Sequence, residues 1–87
     1  KDVPPYALAG QEPLAFQGLN SVGLRRRNFS AEVIEGLEKM YKIIYFSNYN
    51  VTQALEVISQ EKNLSKEMIH VYDFILASTR GIIPGRK

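Results

Sequence analysis

Apolar positions change their spacing near residue 20, and that change divides the chain. Before it they keep no helical period. Val3-Pro4-Pro5 cannot lie inside a helix, because proline removes a backbone donor and clashes with the preceding turn. Residues 6–9 and 14–17 read as short extended runs on either side of Gly10-Gln11-Glu12-Pro13. Such runs are expected to need strand neighbours from outside this chain, and two are too few to establish a repeat.

From Asn20 onward the spacing is helical. Asn20 predicts a cap for a short helix through about Arg27, with Gly23 weakening its middle. Ser30 predicts the next cap, with Glu32 suitably placed in the first turn. Val33, Leu37, Tyr41 and Ile44 then form an apolar stripe, flanked by Ile34 and Tyr45. Ile43-Ile44-Tyr45-Phe46 is apolar on every face, which predicts burial all round, and Ser47-Asn48 offers a left-handed stop. Asn50-Val51-Thr52-Gln53 has the form of a capping box for a third helix, with Ala54, Leu55 and Ile58 inward. Ser65 predicts a fourth helix whose inward face is Met68, Ile69, Tyr72, Ile75 and Leu76, ended by Arg80-Gly81. The expected fold is mainly α: an extended segment over residues 1–19 and a small helical bundle over 20–87. Tyr45 or Phe46 is expected to face another subunit or further parts of the protein.

Composition narrows the chemistry. A chain of 87 residues forms one small domain, and 45% hydrophobic with 23% charged residues is ordinary for a packed one. Lys1 stands where a methionine would start a chain, and the first residues read as mid-sequence, so a piece of a longer protein is expected. Cysteine is absent, which excludes disulfides, thiolate zinc sites and cysteine nucleophiles. No apolar run approaches the ~18 residues that a bilayer requires, and no signal-peptide pattern is present. The net charge of +2 is modest, but Arg25, Arg26 and Arg27 are contiguous, while Glu32, Glu35 and Glu38 follow on the next helix. This is a local basic site and not the footprint of a nucleic-acid binder.

Arginine used three times, with no lysine, favours planar bidentate recognition of oxyanions such as a polyphosphate. Successive helical residues point ~100° apart, so at most two of the three guanidinium groups reach one ligand. The plain alternative is a solvated basic face. His70, the single histidine, lies between Ile69 and Val71 with Asp73 as its nearest orienting group, and reads as a boundary residue, not a general base. One histidine without cysteine gives no metal site, and no cofactor is implied. The aromatic residues come at helical spacing and read as core or interface, not as a base-stacking platform.

The block Gly18-Leu19-Asn20-Ser21-Val22-Gly23-Leu24-Arg25-Arg26-Arg27-Asn28-Phe29-Ser30, preceded by VPPYALAG and followed by YKIIYFSN and Ser78-Thr79-Arg80-Gly81-Ile82-Ile83, resembles the C-terminal part of the UDP-N-acetylglucosamine 3-O-acyltransferase family. The resemblance runs from Val3 to Ile83, in order. It implies a homotrimer of left-handed parallel β-helices, with residues 3–19 as the exit from the last coil and a helical domain after it. It implies transfer of a 3-hydroxyacyl group from acyl carrier protein to the 3-hydroxyl of UDP-N-acetylglucosamine, the first acylation of lipid A synthesis, in the cytoplasm and without membrane insertion. The family's catalytic histidine lies upstream, so no catalytic residue is carried over to this segment and His70 does not match. The matched substrate-binding positions are Asn20, towards the uridine, and Arg26 and Arg27, towards the diphosphate. Val22 stands where some members have glutamate, and the turn at Gly10-Gln11-Glu12-Pro13-Leu14-Ala15 carries one extra residue. Arg25, Arg80 and Arg86 are carrier-protein candidates by charge. A non-catalytic oligomerisation or interaction module and a small phosphate- or nucleic-acid-binding domain are the alternative readings.

Overall fold

The computed structural model describes residues 1–10 and 14–85. Two strands, β1 (Ala7–Gly10) and β2 (Ala15–Leu19), precede four helices, α1 (Ser21–Arg26), α2 (Ala31–Phe46), α3 (Val51–Ser59) and α4 (Lys66–Ala77). The turn residues Gln11, Glu12 and Pro13 singled out above lie outside the described residues, as does Arg86.

The strands do not wait for outside neighbours; they pair with each other. The ladder is antiparallel, with Ala7 opposite Leu19, Leu8 opposite Gly18, Ala9 opposite Phe16 and Gly10 opposite Ala15. Gln17 is the extra residue in that register, a bulge that Gly18 completes at φ 134°, where a Cβ would be strained. A second neighbour comes from the far end of the chain. The Ile83 N–H donates to the Asp2 carbonyl, the Asp2 N–H to the Gly81 carbonyl and the Phe16 N–H to the Pro84 carbonyl, at 2.8–2.9 Å. Residues 82–85 thus run parallel to both Asp2 and Phe16. Nothing in the spacing of those few residues announces this, because a strand that short has no period.

The helix starts follow the sequence closely. Side-chain oxygens of Asn20, Ser30, Asn50 and Ser65 each accept from the backbone N–H three residues on, and Asn50 with Gln53 closes a reciprocal capping box. Asn48 takes φ 58° just past the end of α2. The end of α4 differs from expectation. The helix stops at Ala77, so Arg80 is not in its last turn; instead Arg80 pairs with Asp2, which also accepts from the Ser78 hydroxyl. The Ser78 hydrogen bond first, and the guanidinium second, hold the Asp2 carboxyl below its ordinary range.

The core draws on every element. Leu37, Tyr41 and Ile44 of α2 meet Ala54, Leu55 and Ile58 of α3, Val71 and Ile75 of α4, and Phe16, Leu24, Ile82 and Ile83. Two expectations fail. Leu76 is 65% exposed and Ile69 45%, whereas Val71 is fully buried and Tyr72 half-buried. The apolar side chains of α4 surround most of the helix, so periodicity alone could not fix its rotation. Likewise the end of α2 is not buried all round: Ile44 is, but Phe46 is 63% exposed.

Tyr41 and Tyr45 carry the link from α2 to the strands. The Tyr41 hydroxyl donates to the Pro5 carbonyl, and the Tyr45 hydroxyl to the Ile83 carbonyl at 2.9 Å. The Phe16 ring stacks on Tyr45 at 4.2 Å and lies 5.2 Å from Tyr41. Burial pushes both phenols far above their ordinary range.

Leu37→Ala is expected to lower stability by ~2–5 kcal/mol, the range for a fully buried leucine. Leu76→Ala is expected to change it by no more than about 0.5 kcal/mol, as at ordinary surface positions. Thermal melts of the two variants check the rotation of α4; equal losses would contradict it. A second expectation concerns alkali. The folded tyrosines stay neutral while the unfolded chain ionises near pH ~10, so their contribution is full below that value and is lost as pH rises towards the folded values. Denaturant midpoints measured from pH 8 to 11 should therefore fall steeply above pH ~10, and less steeply in Tyr45→Phe.

Candidate functional site

The arginine triplet lies at the end of α1, a helix too short to persist without tertiary support. Its anchor is Leu24, 2% exposed in the core. Its start is fixed by Asn20, whose Oδ1 accepts from the Gly23 N–H at 3.2 Å. Gly23 is more than a weak helix former here. A Cβ at that position would stand 2.7 Å from Asn20 Nδ2, closer than packing permits, so glycine makes room for the cap. With one lone pair of Oδ1 used by the cap, the exposed Asn20 carboxamide keeps its Nδ2 donors and a second acceptor site.

Arg25 and Arg26 occupy the last turn and Arg27 is the C-cap, a placement that suits the helix dipole. All three are exposed. Among the described residues the ion pairs are Lys39 with Glu61 and Arg80 with Asp2, and none of them involves the triplet. Val22, 59% exposed, lies one turn before Arg25 and Arg26, where a carboxylate would have been able to pair with either. Asn20 and Arg26 thus mark opposite ends of one helix, separated by about 9 Å along its axis.

The end of α1 is a Schellman turn. The Phe29 N–H donates to the Leu24 carbonyl and the Asn28 N–H to the Arg25 carbonyl, both at 3.0 Å, and Asn28 takes φ 63°. Asparagine tolerates that left-handed conformation better than most residues. The turn brings the half-buried Phe29 back to the helix it terminates, where its ring centroid is 5.7 Å from Arg27 Cζ. Tyr6 meets Phe29 edge-on at 5.7 Å, and the Tyr6 carbonyl accepts from the Asn20 N–H at 2.8 Å. Tyr6 itself is held at φ 66°, costly for an aromatic residue. The sequence reading missed this aromatic pair. The available signal was the Asn-Phe dipeptide directly after a short capped helix.

His70 is exposed and touches Tyr6 edge-on at 6.0 Å, and Asp73 is exposed as well. Among the described residues no cluster of His, Asp or Glu could hold a metal ion, and no helix is long and apolar enough to cross a membrane. Arg80 is committed to Asp2, which weakens its standing as a free cation for a protein partner, whereas Arg25 is exposed and has no ion pair among the described residues. The chain encloses an apolar cleft elsewhere, between α2, α3 and α4, lined by Met40, Ile43, Ile58, Leu64 and Met68.

The sequence and fold are similar to those of known proteins. Residues 2–83 match the family described as UDP N-acetylglucosamine O-acyltransferase, domain 2. The acyl-[acyl-carrier-protein]–UDP-N-acetylglucosamine O-acyltransferase of Thermodesulfovibrio yellowstonii is 42% identical over 82 residues, covering 94% of this chain and 32% of its own length. The corresponding protein of Thiobacillus denitrificans is 39% identical over 83 residues, covering 95% and 32%. The crystal structure of a UDP-N-acetylglucosamine acyltransferase from Bacteroides fragilis superposes with a TM-score of 0.91 at 49% identity, over 95% of this chain and 32% of that one. The Francisella novicida enzyme gives 0.90 at 30% identity, over 100% and 32%. The chain therefore spans about a third of the length of the relatives it matches. By the match over residues 2–83, with the arginine-bearing helix inside it, the chain belongs to the UDP N-acetylglucosamine O-acyltransferase family, as its domain 2.

Proposed function

We propose that this chain is the C-terminal part of an acyltransferase that moves a 3-hydroxyacyl group from acyl carrier protein to the 3-hydroxyl of UDP-N-acetylglucosamine, the first acylation of lipid A synthesis. The observation that supports the reading is the exposed triplet Arg25-Arg26-Arg27, held on a capped and anchored helix within a chain of this family. Arg26 and Arg27 bond the diphosphate through paired N–H donors that match phosphate oxygens. Asn20 meets the uridine through its carboxamide, which keeps its Nδ2 donors while Oδ1 serves the cap.

The chemistry requires more than these residues supply. The sugar hydroxyl oxygen attacks the thioester carbonyl, a base takes its proton, donors stabilise the tetrahedral oxyanion, and the carrier thiol leaves. The base is a histidine of a preceding left-handed β-helix, not His70. The full enzyme is a cytoplasmic homotrimer whose sites lie between adjacent subunits, and it uses no cofactor or metal. Of the two aromatic residues at the end of α2, Phe46 meets a neighbouring subunit or the β-helix, while Tyr45 is committed to Ile83 and Phe16.

In the full-length trimer, removing a guanidinium that bonds the diphosphate is expected to cost about 1.5–3 kcal/mol, or roughly ten- to a hundredfold in affinity. Calorimetric titration with UDP-N-acetylglucosamine should show Arg26→Ala and Arg27→Ala each weakening binding more than Arg25→Ala. Equal losses, or a dominant Arg25, would refute the assignment. Residues 1–87 by themselves are expected to show no acyl transfer from acyl carrier protein. Turnover by that piece, abolished by His70→Ala, would overturn both the division of labour and the role denied to His70.

A further inference from the structure

Among the described residues, Arg27 is the member of the triplet that lies over an aromatic ring. The Schellman turn folds Phe29 against the end of α1, and the guanidinium carbon lies 5.7 Å from the ring centroid. A guanidinium is attracted to an aromatic ring through its flat face, whereas its N–H donors point outward in the plane of the group. A contact made through that face leaves the N–H edge of Arg27 open to a phosphate. The ring is itself held, because Tyr6 packs edge-on against it and is tied by its carbonyl to the Asn20 backbone. Tyr6 and Phe29 thus span α1, joining its capping residue at one end to its last guanidinium at the other.

We propose that Phe29 is a positioning residue for phosphate recognition: its ring carries the Arg27 guanidinium with the N–H edge presented outward, and Tyr6 fixes that ring relative to Asn20. The inference rests on the reading of Arg27 as a diphosphate ligand given above. A side chain ordered before the ligand arrives loses less freedom on binding, so the benefit appears in affinity. Phe29 touches no substrate and does not alter the acyl-transfer step, so kcat stays near that of the parent while KM for UDP-N-acetylglucosamine rises.

The test uses the full-length enzyme with UDP-N-acetylglucosamine as the titrant. Phe29→Leu is expected to weaken binding roughly two- to fivefold, the scale of an exposed cation–π contact, and Phe29→Tyr, which keeps the ring, to restore it. In an Arg27→Ala background Phe29→Leu should have no further effect, because the group it positions is gone. Phe29→pentafluorophenylalanine keeps the ring but reverses the charge of its face, and so separates attraction from packing. It should weaken binding with the melting temperature held, and it replaces Phe29→Leu as the probe if that variant fails to fold. If Arg27→Ala weakens binding while the fluorinated ring leaves affinity unchanged, or while Phe29→Leu and Arg27→Ala simply add, the positioning role is overturned and the phosphate site stands. If Arg27→Ala itself leaves affinity unchanged, the site reading falls and this inference with it.

Discussion

The stack of Phe16 on Tyr45, with Tyr41 beneath, joins the strand part of the chain to the helical part. The two tyrosines come from one face of α2, and each spends its hydroxyl on a carbonyl of a segment far away in sequence, Pro5 for one and Ile83 for the other. A buried phenol without such a partner would cost about as much as a lost hydrogen bond. The rings and hydroxyls together therefore fix how the first residues, the last described residues and α2 lie against each other. The single bridge of Asp2 with residues 81–83, held by two hydrogen bonds, is too short to do this by itself. The position of α1 follows, because β2 leads directly into it and Leu24 docks in the same core.

What could be read from sequence was local. Asn20, Ser30, Asn50 and Ser65 cap helices because the bond from each reaches only three residues ahead, and residue type at one position nearly decides it. The rotation of α4 was not legible, since Met68, Ile69, Val71, Tyr72, Phe74, Ile75 and Leu76 offer two competing inward faces. The partner that selects Val71 and Ile75 is α2, and that choice belongs to tertiary packing. The pairing of the two strands and the return of Ile82 and Ile83 to Asp2 were equally hidden, because short extended pieces become informative only once their neighbours are placed.

The same division runs through the candidate site. The arginine triplet announces itself by composition, and the resemblance singles out Asn20, Arg26 and Arg27 from their neighbours. The support around them is invisible at that level. Tyr6 is separated from Phe29 by more than twenty residues, adopts a backbone conformation that aromatic residues avoid, and still meets Phe29 edge to face. A strained residue beside a candidate site is a sign that the surroundings dictate its conformation.

Gly23 has a consequence for which substitutions the site tolerates together. The space above its Cα is filled by the Asn20 carboxamide, with Nδ2 at 2.7 Å from where a Cβ would stand. Alanine at position 23 would raise helix propensity, yet it would displace the side chain that starts the helix. A serine at position 20 would clear the space and still cap, but it would bring no carboxamide donors. Position 20 can thus change by itself to a smaller capping residue, whereas alanine at position 23 needs the carboxamide moved or removed, and that exchange trades carboxamide donors against helix propensity. The least conspicuous residue of α1 in this way sets which hydrogen-bonding groups the helix can present at its exposed end.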